Sequence, residues 1–296
     1  ESTNRQPLAP FPTLITEDEL QKRVCDFGYK TRKRNDLKNG GQITKSSVIC
    51  IMGSQNILES FFRDIVPQIQ KPFVIVTVEH DDSVPPRKNM LDLPLLQAWF
   101  GWNTGIEHPK LHPIPIGLNE GRHAGAIKSA MQKHRSNSKL NRVLVNFKQD
   151  RDVRKKLWKL SRDWSFADRL PYDTSGGQQK KTVIGITTNG WYYEMLLKYK
   201  YVACPKGLGI DTHRTWESLY MGAIPIVLKS SISPVYEGLP VIQLDRWEEL
   251  NEDSLTIPEN SSYEKLELDF WVSKILAVVS ETEQKAGIMP NKTIHE

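Results

Sequence analysis

The stretch from Lys200 to Leu228 constrains this chain more than any other, because its order of apolar, glycine-rich and amphipathic pieces fits one supersecondary unit. Tyr201–Cys204 is a short apolar run followed by Pro205, Gly207 and Gly209, which reads as a buried strand ending in a loop of exposed backbone. Asp211 or Thr212 then caps a helix whose Trp216, Leu219 and Tyr220 share one face. Gly222 stops that helix and Ala223–Leu228 forms a second strand. Such a β-loop-α-β unit sets a loop and a helix N-terminus at the carboxyl edge of a parallel sheet, where free N–H groups and the helix dipole favour an anion.

Lys206, His213 and Arg214 crowd that edge, and Glu217 lies one helical turn after Arg214. The spacing allows two readings. One is a surface ion pair; the other has Arg214 neutralising a diphosphate while Glu217 accepts hydrogen bonds from ribose hydroxyls. Gly207, Gly209, Asp211, Thr212 and His213 complete the expected donor-binding loop. Gly207-x-Gly209 is only a fragment of a dinucleotide fingerprint: Thr212 stands in place of its third glycine, and no acidic residue follows about 20 positions on. This counts against an NAD enzyme.

The rest of the chain alternates in the same way. From Ser46, the spacing predicts a strand at Val48–Met52, a helix at Ile57–Ile69 and a strand at Phe73–Glu79. Asn89–Phe100 has helical apolar spacing broken by Pro94, Leu111–Leu118 reads as extended, and Glu120–Ser136 as a polar helix. A second run follows: strand Arg142–Phe147, helix Asp150–Ser161, strand Thr182–Thr187 and helix Trp191–Tyr199. Beyond Leu228 come a helical turn at Ser233–Gly238, a strand at Leu239–Leu244, a second turn at Arg246–Leu250 and an amphipathic segment at Tyr263–Glu283. Two such alternations argue for an α/β protein of two parallel-sheet halves with a cleft between them. The expected division is a loosely packed arm at 1–45 with one short helix near Glu17–Val24, an N-terminal half at 46–138, a C-terminal half at 139–255, and a closing helix and tail at 256–296.

Glu79-His80-Asp81-Asp82 follows a strand end directly, where open α/β sheets hold ligands. A carboxylate there suits a general base for a sugar hydroxyl, with Asp81 the first choice, Asp82 the second and Glu79 in an orienting role. A helix cap, a turn or a metal site are the alternatives, but His80 has no second histidine at ligand spacing. Asn146-Phe147 and Asn189-Gly190-Trp191 fall on the rim of the second half as a wall for a nucleotide, with Trp191 or Tyr192 stacking on a base or sugar.

A balance of 40 basic and 35 acidic residues gives +5, which a solvated surface explains without nucleic acid as a partner. Three cysteines without CxxC spacing predict no disulfide framework, and Cys50 and Cys204 lie in apolar runs that suit buried thiols. No apolar run approaches the ~18 residues of a membrane span. The expected compartment is either the cytoplasm or, if an N-terminal anchor has been removed, the Golgi lumen.

His213–Val227 is similar to the donor-site motif of exostosin-like glycosyltransferases: an arginine, then Glu-Ala or Glu-Ser, then Gly-x-Ile-Pro-Val. Phe73–Pro85 and His108–Leu118 resemble segments of glycosyltransferase-like proteins of algae and large algal viruses, and the resemblance spans residues 46–250. It implies a GT-B fold, two Rossmann-like parallel-sheet halves facing a central cleft, with the nucleotide sugar on the C-terminal half and the acceptor on the N-terminal half. It also implies an inverting enzyme that uses no metal or other cofactor and takes a UDP-sugar, UDP-xylose first. By position Arg214 would meet the diphosphate and Glu217 the ribose. The implied partners are a nucleotide sugar and an oligosaccharide or glycoprotein acceptor. The alternative is a non-catalytic glycan-binding protein on the same scaffold.

Overall fold

The structure, a computed structural model, describes residues 13–119, 127, 130, 138–170 and 188–285. The chain forms two units: Glu17–Pro115 with Glu267–Glu296, here the N-terminal unit, and Glu1–Thr16 with Ile116–Leu266, here the C-terminal unit. Among the described residues, each is built on a five-stranded parallel sheet, as the alternating pattern predicts.

In the N-terminal unit the strands run in chain order: β1 (Phe27–Tyr29), β2 (Ser47–Met52), β3 (Phe73–Val78), β4 (Leu96–Gly101) and β5 (Leu111–Pro113). β2 and β3 are apolar apart from the buried Ser47 and Thr77, because the sheet is covered on both faces. Ile49, Ile51, Phe73, Ile75 and Trp99 pack with Leu58 and Phe61 of α2 (Gln55–Asp64). On the other face, Val48, Cys50, Val74, Val76 and Phe100 are equally buried. The closing helix supplies that layer and lies against β3 and β4 and against α1 (Glu17–Val24), burying Leu268, Trp271, Val272 and Ile275 at helical spacing.

Three expectations change here. Asn89–Phe100 is a 3-10 turn at Lys88–Asp92 followed by β4, because a strand buried on both faces shows the same unbroken apolarity as a buried helix. The described part of the arm is no loose tail: β1 pairs with β2, and Tyr29, Leu37 and Ile43 join the core. Cys50 is not a free thiol. Pairing of Phe27 with Ile49 brings Cys25, just past α1, to Cys50 with their Cα atoms 5.7 Å apart, and the two form a disulfide.

The C-terminal unit has strand order β10-β9-β8-β6-β7. These are β6 (Leu140–Val145), β7 (Ala167–Arg169), β8 (Tyr199–Ala203), β9 (Ile224–Leu228) and β10 (Ile242–Leu244). The helices are α3 (Asp152–Leu160), α4 (Thr188–Lys198), α5 (His213–Tyr220) and α6 (Ser233–Tyr236); the closing helix, α7, is Leu268–Lys285. The chain steps from β6 to β7, then returns across β6 to β8 and continues outward, so the winding reverses between β6 and β8. Arg142 of β6 clamps Asp168 of β7 through bonds of 3.0 and 2.7 Å, and Tyr199 of β8 donates to the same carboxylate at 2.8 Å. The Thr182–Thr187 strand lies outside the described residues, as does the Glu120–Ser136 helix apart from Ile127 and Ala130.

The division between units falls at Ile116, where the alternating pattern places it near residue 138. Residues 116–118 are held inside the C-terminal unit: Ile116 N donates to Asp211, Leu118 N donates to Ile15 O, and Gly117 O accepts from His213.

Candidate functional site

Ligands of open parallel sheets sit outside the carboxyl ends of strands where the winding reverses. In the C-terminal unit that position is flanked by the loop after β6 and the loop Cys204–Thr212 after β8, both singled out by sequence. Arg154 of α3 ties them together, donating from Nε to Lys206 O at 3.0 Å while its Nη1 lies 3.5 Å from Asp150 Oδ1. Lys206 is exposed and Gly207 partly so; Gly207 N donates to Gly209 O at 3.1 Å, which closes a tight turn. A Cβ at Gly207 would stand 3.0 Å from Arg154 Nη2, so a side chain there would push against the arginine that ties the two loops.

Thr212 is the N-cap of α5, and His213 and Arg214 occupy its first turn, partly exposed. His213 is anchored through Nδ1, which donates to Gly117 O at 2.8 Å. Arg214 lays its guanidinium over the Tyr192 ring, 5.0 Å from the centroid. Glu217, 6% exposed, accepts hydrogen bonds from Tyr192 at 3.0 Å and Tyr193 at 3.4 Å. Burial pushes both tyrosine hydroxyls up, opposed at Tyr192 by Arg214, so they remain protonated donors to the carboxylate. Arg214, Glu217 and the two tyrosines therefore form one preset cluster. Sequence reading anticipated Tyr192 only as a stacking group and missed Tyr193, because both partners come from the helix before β8.

Asp211 behaves differently from expectation. It is 3% exposed, and its two oxygens accept from Ile116 N, Trp216 Nε1, Tyr236 Oη and Thr212 N at 2.9, 2.8, 2.7 and 2.8 Å. It fastens the loop rather than facing a ligand. Burial raises its carboxyl, and those four bonds oppose the rise. Phe147 is likewise core, fully buried and edge-on to Trp158, while Asn146 is buried and donates to Leu170 O at 3.1 Å. Trp191 is 39% exposed on α4; the side chain of Asn189 lies outside the described residues. Cys204 is a buried free thiol behind α5, pushed up to about 12 by burial, so it is no nucleophile.

In the N-terminal unit, the segment after β3 divides into buried and exposed members. Glu79 adopts a left-handed backbone, φ 60°, and its fully buried carboxylate accepts from Arg32 N through both oxygens at 2.9 Å. Glu17 at the start of α1 hydrogen-bonds to Glu79; burial and that neighbour raise its carboxyl from 4.5 to about 8, against the pull of Arg32. Asp81 and Asp82 are exposed. His80 is buried, stacked on Trp102. Among the described residues, no group of three or more His, Cys, Asp or Glu side chains is placed to hold a metal ion, and no helix is long and apolar enough to cross a membrane.

No protein-family model and no curated protein matches the chain. Among solved structures it is similar to Anabaena HepE in complex with UDP-glucose, at 11% identity and a TM-score of 0.33 over 82% of this chain and 79% of that one.

Proposed function

We propose that the chain is an inverting, exostosin-like glycosyltransferase of GT-B type. It moves a sugar from a nucleoside diphosphate, a UDP-sugar with UDP-xylose first to assay, to a hydroxyl of a glycan or glycoprotein. What carries the reading is the cluster at the winding reversal: a cationic first turn of α5 beside a glycine turn, with Glu217 preset by two tyrosines one turn further on.

In this reading Arg214, Lys206 and the N-terminal end of the α5 dipole offset the charge that grows on the departing diphosphate. Glu217 accepts from the ribose hydroxyls, exchanging at least one tyrosine for the nucleotide. The charge is met by fixed protein groups, and the proposal assigns no metal or cofactor to the reaction. The N-terminal unit binds the acceptor, whose hydroxyl loses its proton to a base in the segment 79–82.

The test is thermal stability with UDP, GDP or NAD, with and without a divalent metal. A ligand at about 100 times its Kd stabilises the folded state by about 2.7 kcal/mol. Stabilisation by UDP without metal, lost in Arg214→Ala, supports the proposal. A response to glycans but to no nucleotide would instead favour a non-catalytic glycan-binding protein.

A further inference from the structure

His80 and Trp102, at the carboxyl ends of β3 and β4, form a stacked pair with rings nearly parallel at 15° and centroids 5.8 Å apart. The imidazole lies close against Gly53, where a Cβ would be 2.2 Å from its Cδ2. Only a glycine permits that approach. Nδ1 meets Asp82 O at 2.8 Å, and a carbonyl only accepts, so the proton of the neutral ring is on Nδ1 and the lone pair is on Nε2.

His80 is 7% exposed and Trp102 4%, yet His80 Nε2 and Trp102 Nε1 are both buried without a hydrogen-bond partner. One is an acceptor and the other a donor, and buried polar groups are otherwise almost always paired. The strand ends beside them are strained as well: Glu79 and Asn103, neither a glycine, have φ of 60° and 49°. Burial lowers the proton affinity of His80, against Asp81, Asp82 and the carbonyls of Asp82 and Thr77, so the ring is held neutral.

We propose that His80 Nε2 and Trp102 Nε1 together form the acceptor-hydroxyl subsite, with His80 as the catalytic base. The inference rests on the glycosyltransfer reading and deepens it. Trp102 donates its indole N–H to the acceptor oxygen, and the hydroxyl proton passes to His80 Nε2. The oxygen bonds to the anomeric carbon as the bond from that carbon to phosphate oxygen breaks. The electron pair leaves with the nucleoside diphosphate, and the imidazolium returns its proton to water. Both atoms are buried, so an acceptor reaches them only when neighbouring residues shift.

The experiment compares transfer by wild type, His80→Gln, His80→Ala and Trp102→Phe, each with its UDP-induced thermal shift. Loss of a general base lowers kcat by about 10²- to 10⁴-fold. His80→Gln shows that loss with the UDP shift intact, and added imidazole restores His80→Ala in proportion to its unprotonated fraction. Trp102→Phe raises the acceptor KM by about tenfold, as loss of one hydrogen bond predicts. A wild type that transfers while His80→Gln keeps its rate, or Trp102→Phe keeps its KM, overturns the subsite alone. A wild type that neither binds UDP nor transfers overturns the glycosyltransfer reading and the subsite with it.

Discussion

Glu17 illustrates how a single carboxyl couples the N-terminal unit to pH. The folded chain keeps its proton to about 8, whereas the unfolded chain releases it near 4.5. Between those values the folded state binds more protons, so stability falls as pH rises through the window. Glu17→Gln removes the titration, and the pH dependence of the urea midpoint between pH 5 and 8 should flatten, with the variant the more stable at pH 8. None of this was legible in the sequence, since Glu17 reads as an ordinary helix-start acid and Glu79 is distant in the chain. Asp211 teaches the same lesson: its loop position was legible, but its donors come from positions 116, 212, 216 and 236, and three of these meet it only after folding. That Arg214 and Glu217 lie together was legible because a helix fixes their spacing locally, and both meet Tyr192.

At the scale of elements, strands with long apolar runs declared themselves, as β2, β3, β6, β8 and β9 show. The three-residue edge strands β1 and β7 did not. Ala167-Asp168-Arg169 carries a polar pattern because Asp168 builds the clamp with Arg142 and Tyr199 and Arg169 lies over the Trp158 ring, which leaves only Ala167 against the core. The helix stop at Gly222 was legible and has a definite cost. Its φ is 67°, and an added Cβ would meet only Lys139 Cε at 3.8 Å, so the penalty for Gly222→Ala is conformational and not steric. Denaturant melts should show a loss of about 1 kcal/mol, with UDP affinity unchanged because α5 keeps its first turn.

The Cys25–Cys50 bond bears on the molecule as a whole, because it lies entirely within one of the two units. It closes a span of 25 residues, and removing it should cost the N-terminal unit about 3.5 kcal/mol by the chain-entropy argument. Comparing urea transitions of Cys25→Ser with those of wild type checks this; an equal loss in both units would contradict it. The pairing was not legible, since three cysteines at unremarkable spacings leave the partner open until β1 and β2 align.

The closing helix has a further consequence. α7 covers β3 and β4, yet residues 116–266, which build the other unit, separate it from the strands it covers. During translation the first sheet leaves the ribosome with one apolar face bare and waits for its cover while the second unit is made. A nascent chain halted before Leu268 should therefore be a substrate for chaperones, whereas release of the full helix ends that dependence.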